Sequence, residues 1–304
     1  MIYRTCVFAG VITGLALSAA YASRAGLTPA LWIAAAALAI CVALLLAVAT
    51  KVLFGRETFS FLHYQIAAIA TVAIFVPIRG ALDLLALALA VTQSIGRIGC
   101  AAAGCCHGRP SRFGIRYDDA HVPSHWAGVR LFPVQWVESA FLAAIAIVTA
   151  TLIGRTGAAL AFYASAYAAV RFALEILRGD ARRHLFSLSE AQWICLGIIL
   201  WQRNWIVAGA MLACGAAIVI RGRVDADAIA RARRSDAMIS AAGIRVSHGV
   251  TNGAEHYTIS GTLKPGRVRR IARLLRTLGD HHVDPIVIAG GNGIHHVLFA
   301  EGAR

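Results

Sequence analysis

Gly157-Ala158-Ala159-Leu160-Ala161-Phe162-Tyr163-Ala164-Ser165-Ala166-Tyr167-Ala168-Ala169-Val170-Arg171-Phe172-Ala173-Leu174-Glu175-Ile176-Leu177-Arg178 is the stretch on which the fold turns. Its apolar run is long enough, at about 1.5 Å per residue, to cross a hydrocarbon layer roughly 30 Å thick. Arg171, Glu175 and Arg178 stand at i, i+4 and i+7, so three charges share one face of a membrane-embedded helix. An ionised side chain near the bilayer centre costs at least about 2.5 to 3.5 kcal/mol, so that face is turned to protein or water. Two arginines against one glutamate leave a positive charge over, which suits an anionic ligand. The competing reading is a self-satisfied ion network with Arg178 snorkelling at the end of the span. Tyr163 and Tyr167 extend the stripe one and two turns back and read as packing residues.

Composition agrees with this stretch. Hydrophobic residues make up 59% of the 304 and charged ones 14%, the balance of an all-α polytopic membrane protein. Candidate spans fall at about 5–22, 28–54, 60–77, 80–95, 135–153, 157–177 and 192–220, seven transmembrane helices, or eight if Gln202-Arg203-Asn204 is a turn. Ser18-Ala19-Ala20 resembles a signal-peptide exit but lacks the Ala-x-Ala form, so the first span is read as a membrane helix. The net charge of +14 is almost wholly arginine, concentrated at span junctions where lipid phosphates lie, which favours the bilayer over nucleic acid as the anionic partner. Arg221, Arg223, Arg231, Arg233 and Arg234 follow the last span and direct the C-terminus to the cytoplasm by the positive-inside rule. Seven spans then leave the Arg97–Pro133 loop outside, against the same rule. After residue 222 the chain turns polar and basic. A helix over Asp225–Ala241, a second over Pro265–Leu278, and strands at Tyr257–Gly261, Pro285–Ala289 and His295–Phe299 around a Gly290–Gly293 turn give a small soluble α/β domain. The division expected is 1–221 in the membrane and 222–304 as a basic cytoplasmic appendage.

Cys6, Cys41, Cys195 and Cys214 lie within apolar spans, where cysteine acts as a small hydrophobe. Cys100, Cys105 and Cys106 cluster beside His107, and three readings are open: close packing of small residues, a disulfide from Cys100 to Cys105 or Cys106, or a zinc site. Adjacent cysteines seldom reach one metal and no second Cys pair follows, so no metal is expected.

Around this cluster the chain resembles a family. Gly96-Arg97-Ile98-Gly99 followed by Gly108-Arg109-Pro110-Ser111 resembles the signature of prolipoprotein diacylglyceryl transferases, Gly-Arg-x-Gly-Asn-Phe-x-Asn and then Gly-Arg-Pro-Thr. Phe132-Pro133-Val134-Gln135-Trp136-Val137-Glu138, the Tyr167–Arg178 stretch and Leu188-Ser189-Glu190-Ala191-Gln192-Trp193 resemble three further family motifs in the family's order, within residues 60–200. The resemblance implies a membrane transferase that moves diacylglyceryl from phosphatidylglycerol to the lipobox cysteine of a prolipoprotein in the bacterial inner membrane, releasing glycerol 1-phosphate and needing no cofactor. It implies Arg97 and Arg171 as the phosphate clamp, with Glu175 orienting Arg171 or offsetting its charge, and Gly96, Gly99, Arg109, Gln135, Glu138, Arg178 and Gln192 as substrate-binding positions. Guanidinium groups on the leaving phosphate stabilise charge where it develops.

The thiol must lose its proton to attack carbon, and a histidine is the usual base. Ser60-Phe61-Leu62-His63-Tyr64 resembles the family's Ser-Phe-His-Gly-Gly and makes His63 the candidate, although one residue is inserted and both glycines are missing; His107 is the alternative. The family's two asparagines after Arg97 are also missing, with Cys100 in the first place, and a thiol hydrogen-bonds only weakly. Another anionic lipid or acceptor is therefore a second reading. A non-enzymatic anion carrier is a third, but the chain lacks the internal repeats that transport folds carry. The 112–131 segment reads as a solvated loop.

Overall fold

The computed structural model describes residues 2–55, 61–76, 78–118, 120–180, 184–186, 188–221, 226–233, 239–241, 244–251, 254–261, 263, 265–279, 281–290 and 293–299. It is mostly helical, with a small sheet-containing C-terminal region. Helices α1 (Ile2–Ala20), α2 (Pro29–Phe54), α3 (Phe61–Phe75), α4 (Arg79–Ala102), α5 (Val134–Leu152), α6 (Ala158–Leu177), α7 (Glu190–Trp201) and α8 (Trp205–Arg221) form in order. Five of them, α1, α2, α4, α5 and α6, are long and apolar enough to cross a membrane; α3, α7 and α8 carry shorter apolar runs. By internal packing the chain forms two compact units: 1–102 with 136–173 and 191–209, and 103–135 with 174–190 and 210–304.

In the first unit, local chemistry sets helix starts and spacings. Pro29 stands at the first turn of α2, where its missing N–H costs nothing, and Thr28 caps that helix by accepting from the Leu31 N–H at 3.3 Å. Asp83, buried within α4, accepts from the N–H groups of Gly157 (2.8 Å) and Leu160 (2.9 Å) and so satisfies the opening turn of α6. Glycines bring α1 and α4 backbone to backbone. A Cβ on Gly10 would lie 2.7 Å from the Thr92 carbonyl oxygen, one on Gly14 2.6 Å from that of Ala88, and one on Gly99 2.7 Å from the Cys6 Cβ. Such small-residue contacts substitute for the hydrophobic drive that is absent between helices in lipid. The fourth span runs through to Ala102 rather than stopping at residue 95, so Arg97 lies on a helix with its charge matched by a partner described below.

Gln202-Arg203-Asn204 is a turn: Arg203 adopts φ 56°, and the Asn204 N–H donates to the Ile199 carbonyl. A Cβ on Gly215 of α8 would meet the Leu188 side chain at 3.4 Å, so α8 runs back past the residues that precede α7.

In the second unit β3 (His184–Leu185) pairs with β4 (Leu188–Ser189), and a larger antiparallel sheet is ordered β5 (Ile239–Ala241), β6 (Ile244–Thr251), β7 (Ala254–Gly261), β9 (Ile294–Phe299) and β8 (Ile286–Ala289). Helices α9 (Ala226–Arg233) and α10 (Pro265–Gly279) bury Ile229, Ile271, Leu275 and Leu278 with Tyr257, Ile259, Val297 and Phe299. The first helix of this region is shorter than expected, because Ile239–Ala241, read above as its end, pairs as a strand with Ile244–Thr251. Arg223, Arg234 and part of the Gly290–Gly293 turn lie outside the described residues.

The 110–131 segment is not a solvated loop. Strand β1 (Pro110–Arg116) pairs with β2 (Arg130–Leu131), and Val122, Trp126, Val129 and Leu131 share one buried cluster with α9, α10 and the sheet. Trp126 Nε1 donates to Asp227 at 3.2 Å, and His125 Nε2 meets the same carboxylate oxygen at 2.8 Å. The aromatic and β-branched residues hidden among arginines and histidines supply that core. Trp126→Ala should therefore cost the C-terminal sheet about 3 to 5 kcal/mol. Hydrogen exchange should detect this as lost protection along β7, whereas unchanged protection would show that the segment is not part of that core.

Candidate active site

In the first unit, charges and amides from five helices lie inside the bundle. The Arg97 guanidinium of α4 lies 2.9 Å from the fully buried Glu138 carboxylate of α5. One turn away the same two helices are clasped by reciprocal bonds, Ser94 Oγ donating to the Ser139 carbonyl (3.0 Å) and Ser139 Oγ to that of Ser94 (2.8 Å). These bonds fix the rotation of α4 against α5 and so hold the ion pair in register. Arg171 of α6 is buried, with Tyr167 and Tyr163 one and two turns behind it and stacked on each other at 5.8 Å between ring centroids. Gln93 of α4 donates to the Tyr163 hydroxyl, which donates in turn to Gln65 of α3 at 3.4 Å. Gln192 of α7 donates to the Phe172 carbonyl at 3.4 Å. His63 stands half-buried in the first turn of α3.

Arg109, Gln135, Glu175 and Arg178 belong to the second unit. Arg178, just past α6, grips Asp180 with two bonds, Nε to Oδ1 at 2.9 Å and Nη2 to Oδ2 at 3.1 Å, and stands 3.9 Å from Glu175. Burial works against its charge, but Cys106, Asp180 and Glu175 outweigh that and hold it firmly cationic. Gly108 bridges Arg178, the Arg109 N–H donates to Leu177 O at 2.8 Å, and Arg109 Nε donates to Arg178 O at 3.2 Å. Glycine is needed there: a Cβ on Gly108 would lie 2.4 Å from the Phe132 oxygen, and one on Gly179 2.4 Å from that of Gly108. Gln135 donates to the Cys105 carbonyl at 2.8 Å. Burial raises the Tyr117 hydroxyl above its ordinary pKa, Cys105 adds to the rise, and the nearby Gln135 opposes it. His107 is buried, 5.0 Å from the Trp126 ring, and its Nδ1 lies 3.0 Å from the Gly108 carbonyl. A carbonyl only accepts, so Nδ1 carries the proton in the neutral ring and Nε2 is the basic nitrogen.

Arg97, Glu138, Arg171 and Gln192 are thus assembled on helices of one unit, and Arg109, Gln135, Glu175 and Arg178 around one junction of the other. Gly99 serves helix packing, and Gly96 has open space at its Cβ position. Sequence reasoning missed Glu138 as the partner of Arg97, Asp180 as that of Arg178, and Gln65 and Gln93 altogether. The signal for Gln93 was present: it precedes Arg97 by four residues, on the same helix face. Cys100 is buried, Cys106 half-buried and Cys105 exposed.

A family model described as prolipoprotein diacylglyceryl transferase matches residues 1–208. The chain is 34% identical over 122 residues to a phosphatidylglycerol–prolipoprotein diacylglyceryl transferase of Clostridium tetani (strain Massachusetts / E88), covering 39% of this chain and 49% of that protein. It is 36% identical over 133 residues to phosphatidylglycerol–prolipoprotein diacylglyceryl transferase 2 of Clostridium perfringens (strain 13 / Type A), covering 40% and 51%. The chain spans about half the length of the curated relatives it matches. No solved structure matches.

Removing one member of a buried ion pair strands the other charge, whereas an apolar pair of similar volume is often neutral. Glu138→Ala should lower stability by about 3 to 5 kcal/mol, and Arg97→Met with Glu138→Leu should recover most of it. Thermal unfolding in detergent checks this, and equal losses for the single and double variants would show that the pair is not coupled.

Proposed function

Because this chain belongs to the prolipoprotein diacylglyceryl transferase family, as the match over residues 1–208 shows, we propose that it transfers a diacylglyceryl group from phosphatidylglycerol to the thiol of a lipobox cysteine in the inner membrane. The observation that carries this reading is the pairing of Arg97 with a fully buried Glu138 in a helix bundle that also buries Arg171. In the proposed step the acceptor sulfur attacks the glyceryl carbon that carries the phosphate oxygen, a C–S bond forms and the C–O bond breaks. The bonding pair leaves on the oxygen of glycerol 1-phosphate, and the thiol proton passes to a base. Arg97 and Arg171 take up the charge that develops on the phosphate, while Glu138 and Glu175 orient them. His63 and His107 Nε2 are the two candidates for the proton. Gly96, Gly99, Arg109, Gln135, Arg178 and Gln192 shape the lipid and acceptor sites.

The working division remains 1–221 as the transferase and 222–304 as a basic accessory region, with phosphatidylglycerol, the prolipoprotein signal region and the bilayer as partners. Seven or eight crossings differ only in whether α7 and α8 count as one span or two. The turn at 202–204 and the return of α8 past Leu188 favour two. The shared core of 110–131 with the C-terminal sheet supports putting both on one side of the membrane, and the arginine cluster after α8 favours the cytoplasm for that side.

Mass spectrometry of a lipobox peptide incubated with purified protein and phosphatidylglycerol tests the activity. Arg97→Ala and Arg171→Ala should each abolish the adduct while the protein stays folded, and lysine should rescue poorly because it cannot grip phosphate in a fork. Undiminished turnover in Arg171→Ala would remove that residue from the clamp. Protease tags at Arg304 and in the 112–116 segment should behave alike in intact cells, and opposite behaviour would separate the two faces.

A further inference from the structure

Gln93, Tyr163 and Gln65 come from three different helices, and each side chain is at most 3% exposed. They form one relay, Gln93 Nε2 to the Tyr163 hydroxyl to Gln65 Oε1. A tyrosine hydroxyl has one proton, so the relay has a direction. Its two ends, Gln65 Nε2 and Gln93 Oε1, are buried and hydrogen-bonded to nothing among the described residues. Turning both amides over reverses the relay but still leaves one donor and one acceptor at its ends. A buried polar atom left without a partner costs about 1 to 3 kcal/mol, and two such ends on one relay call for a ligand.

The chemistry of that ligand follows from the ends. An ester or phosphate oxygen only accepts, an ammonium only donates, and an apolar chain does neither. A hydroxyl does both, and a vicinal pair of hydroxyls offers a donor and an acceptor for each end. Gln93 precedes Arg97 by one helical turn on α4, a rise of about 6 Å, which is the scale of a three-carbon polyol esterified to a phosphate.

We propose that Gln65, Tyr163 and Gln93 form a polyol subsite that recognises the free hydroxyls of a glycerol headgroup whose phosphate lies at Arg97. The proposal rests on the reading of Arg97 as a phosphate contact. It makes these three residues substrate-binding and specificity-determining, with no part in the proton transfer. A phospholipid of the same charge without the hydroxyls leaves both amide ends unmet, and sites built to bond a hydroxyl reject such analogues strongly.

The test is competitive lipid retention by the full-length protein in detergent, without acceptor, read by native mass spectrometry. The competitors are phosphatidylglycerol and phosphatidylpropanol with identical acyl chains. The expected result is at least about a tenfold preference for phosphatidylglycerol, falling toward unity in both Tyr163→Phe, which removes one oxygen and keeps the ring, and Gln93→Leu. No preference in the native protein, a preference intact in both variants, or equal loss of both lipids would overturn the subsite. Peptide transfer measured on the same preparations reads the enzymatic proposal separately: a preference without transfer keeps the subsite and removes the activity.

Discussion

The buried pair of Arg97 and Glu138 is the constraint on which the membrane unit depends. An isolated charge inside a bilayer is too costly to keep, so each helix that carries one must be placed to meet its counterion. That requirement fixes the rotation of α4 against α5, and the Ser94–Ser139 clasp holds it there. It also explains why α4 continues through Gly96-Arg97-Ile98-Gly99: the helix satisfies its own backbone, Gly99 gives α1 close approach, and the guanidinium is answered from α5. Arg171, buried in the same bundle, adds a second guanidinium. A site of this kind costs stability, as functional sites often do.

Much of this was legible in the sequence. The apolar runs and the charged face of Gly157–Arg178 gave the helical membrane class, and the spacing of Arg171, Glu175 and Arg178 placed them on or beside one helix end. Partners were harder to read, because Glu138 lies some forty residues from Arg97 and only tertiary packing brings them together. Asp83 is the same case: nothing local shows that a carboxylate inside α4 caps α6. The 110–131 segment was misread because its arginines and histidines dominate composition, while Val122, Trp126, Val129 and Leu131, which decide its fate, are spaced irregularly.

The C-terminal region illustrates how burial outranks local propensity. Ala-rich sequence around 226–241 favours helix, yet Ile239–Ala241 becomes an edge strand because β6 offers a partner. Within the same unit, Glu255 receives the Tyr257 hydroxyl at 2.5 Å and lies near Arg233, His281 and His248. Burial alone raises its pKa, but these partners outweigh it and hold the carboxyl below its ordinary range. Because the folded value is depressed, this contribution is present above the unfolded pKa and is lost as pH falls through the folded one. The region is therefore more than a basic tag: its core includes Val122, Trp126, Val129 and Leu131 of the segment that follows α4.

The central claim is that buried guanidinium groups stabilise a departing glycerol phosphate while a cysteine thiolate takes the diacylglyceryl group. The most direct measurement follows both products in one reaction, thioether on a lipobox peptide by mass spectrometry and glycerol 1-phosphate by phosphorus NMR. The account predicts that they appear together in equal amounts from phosphatidylglycerol. Glycerol 1-phosphate released without thioether, or neither product from folded protein, would contradict it.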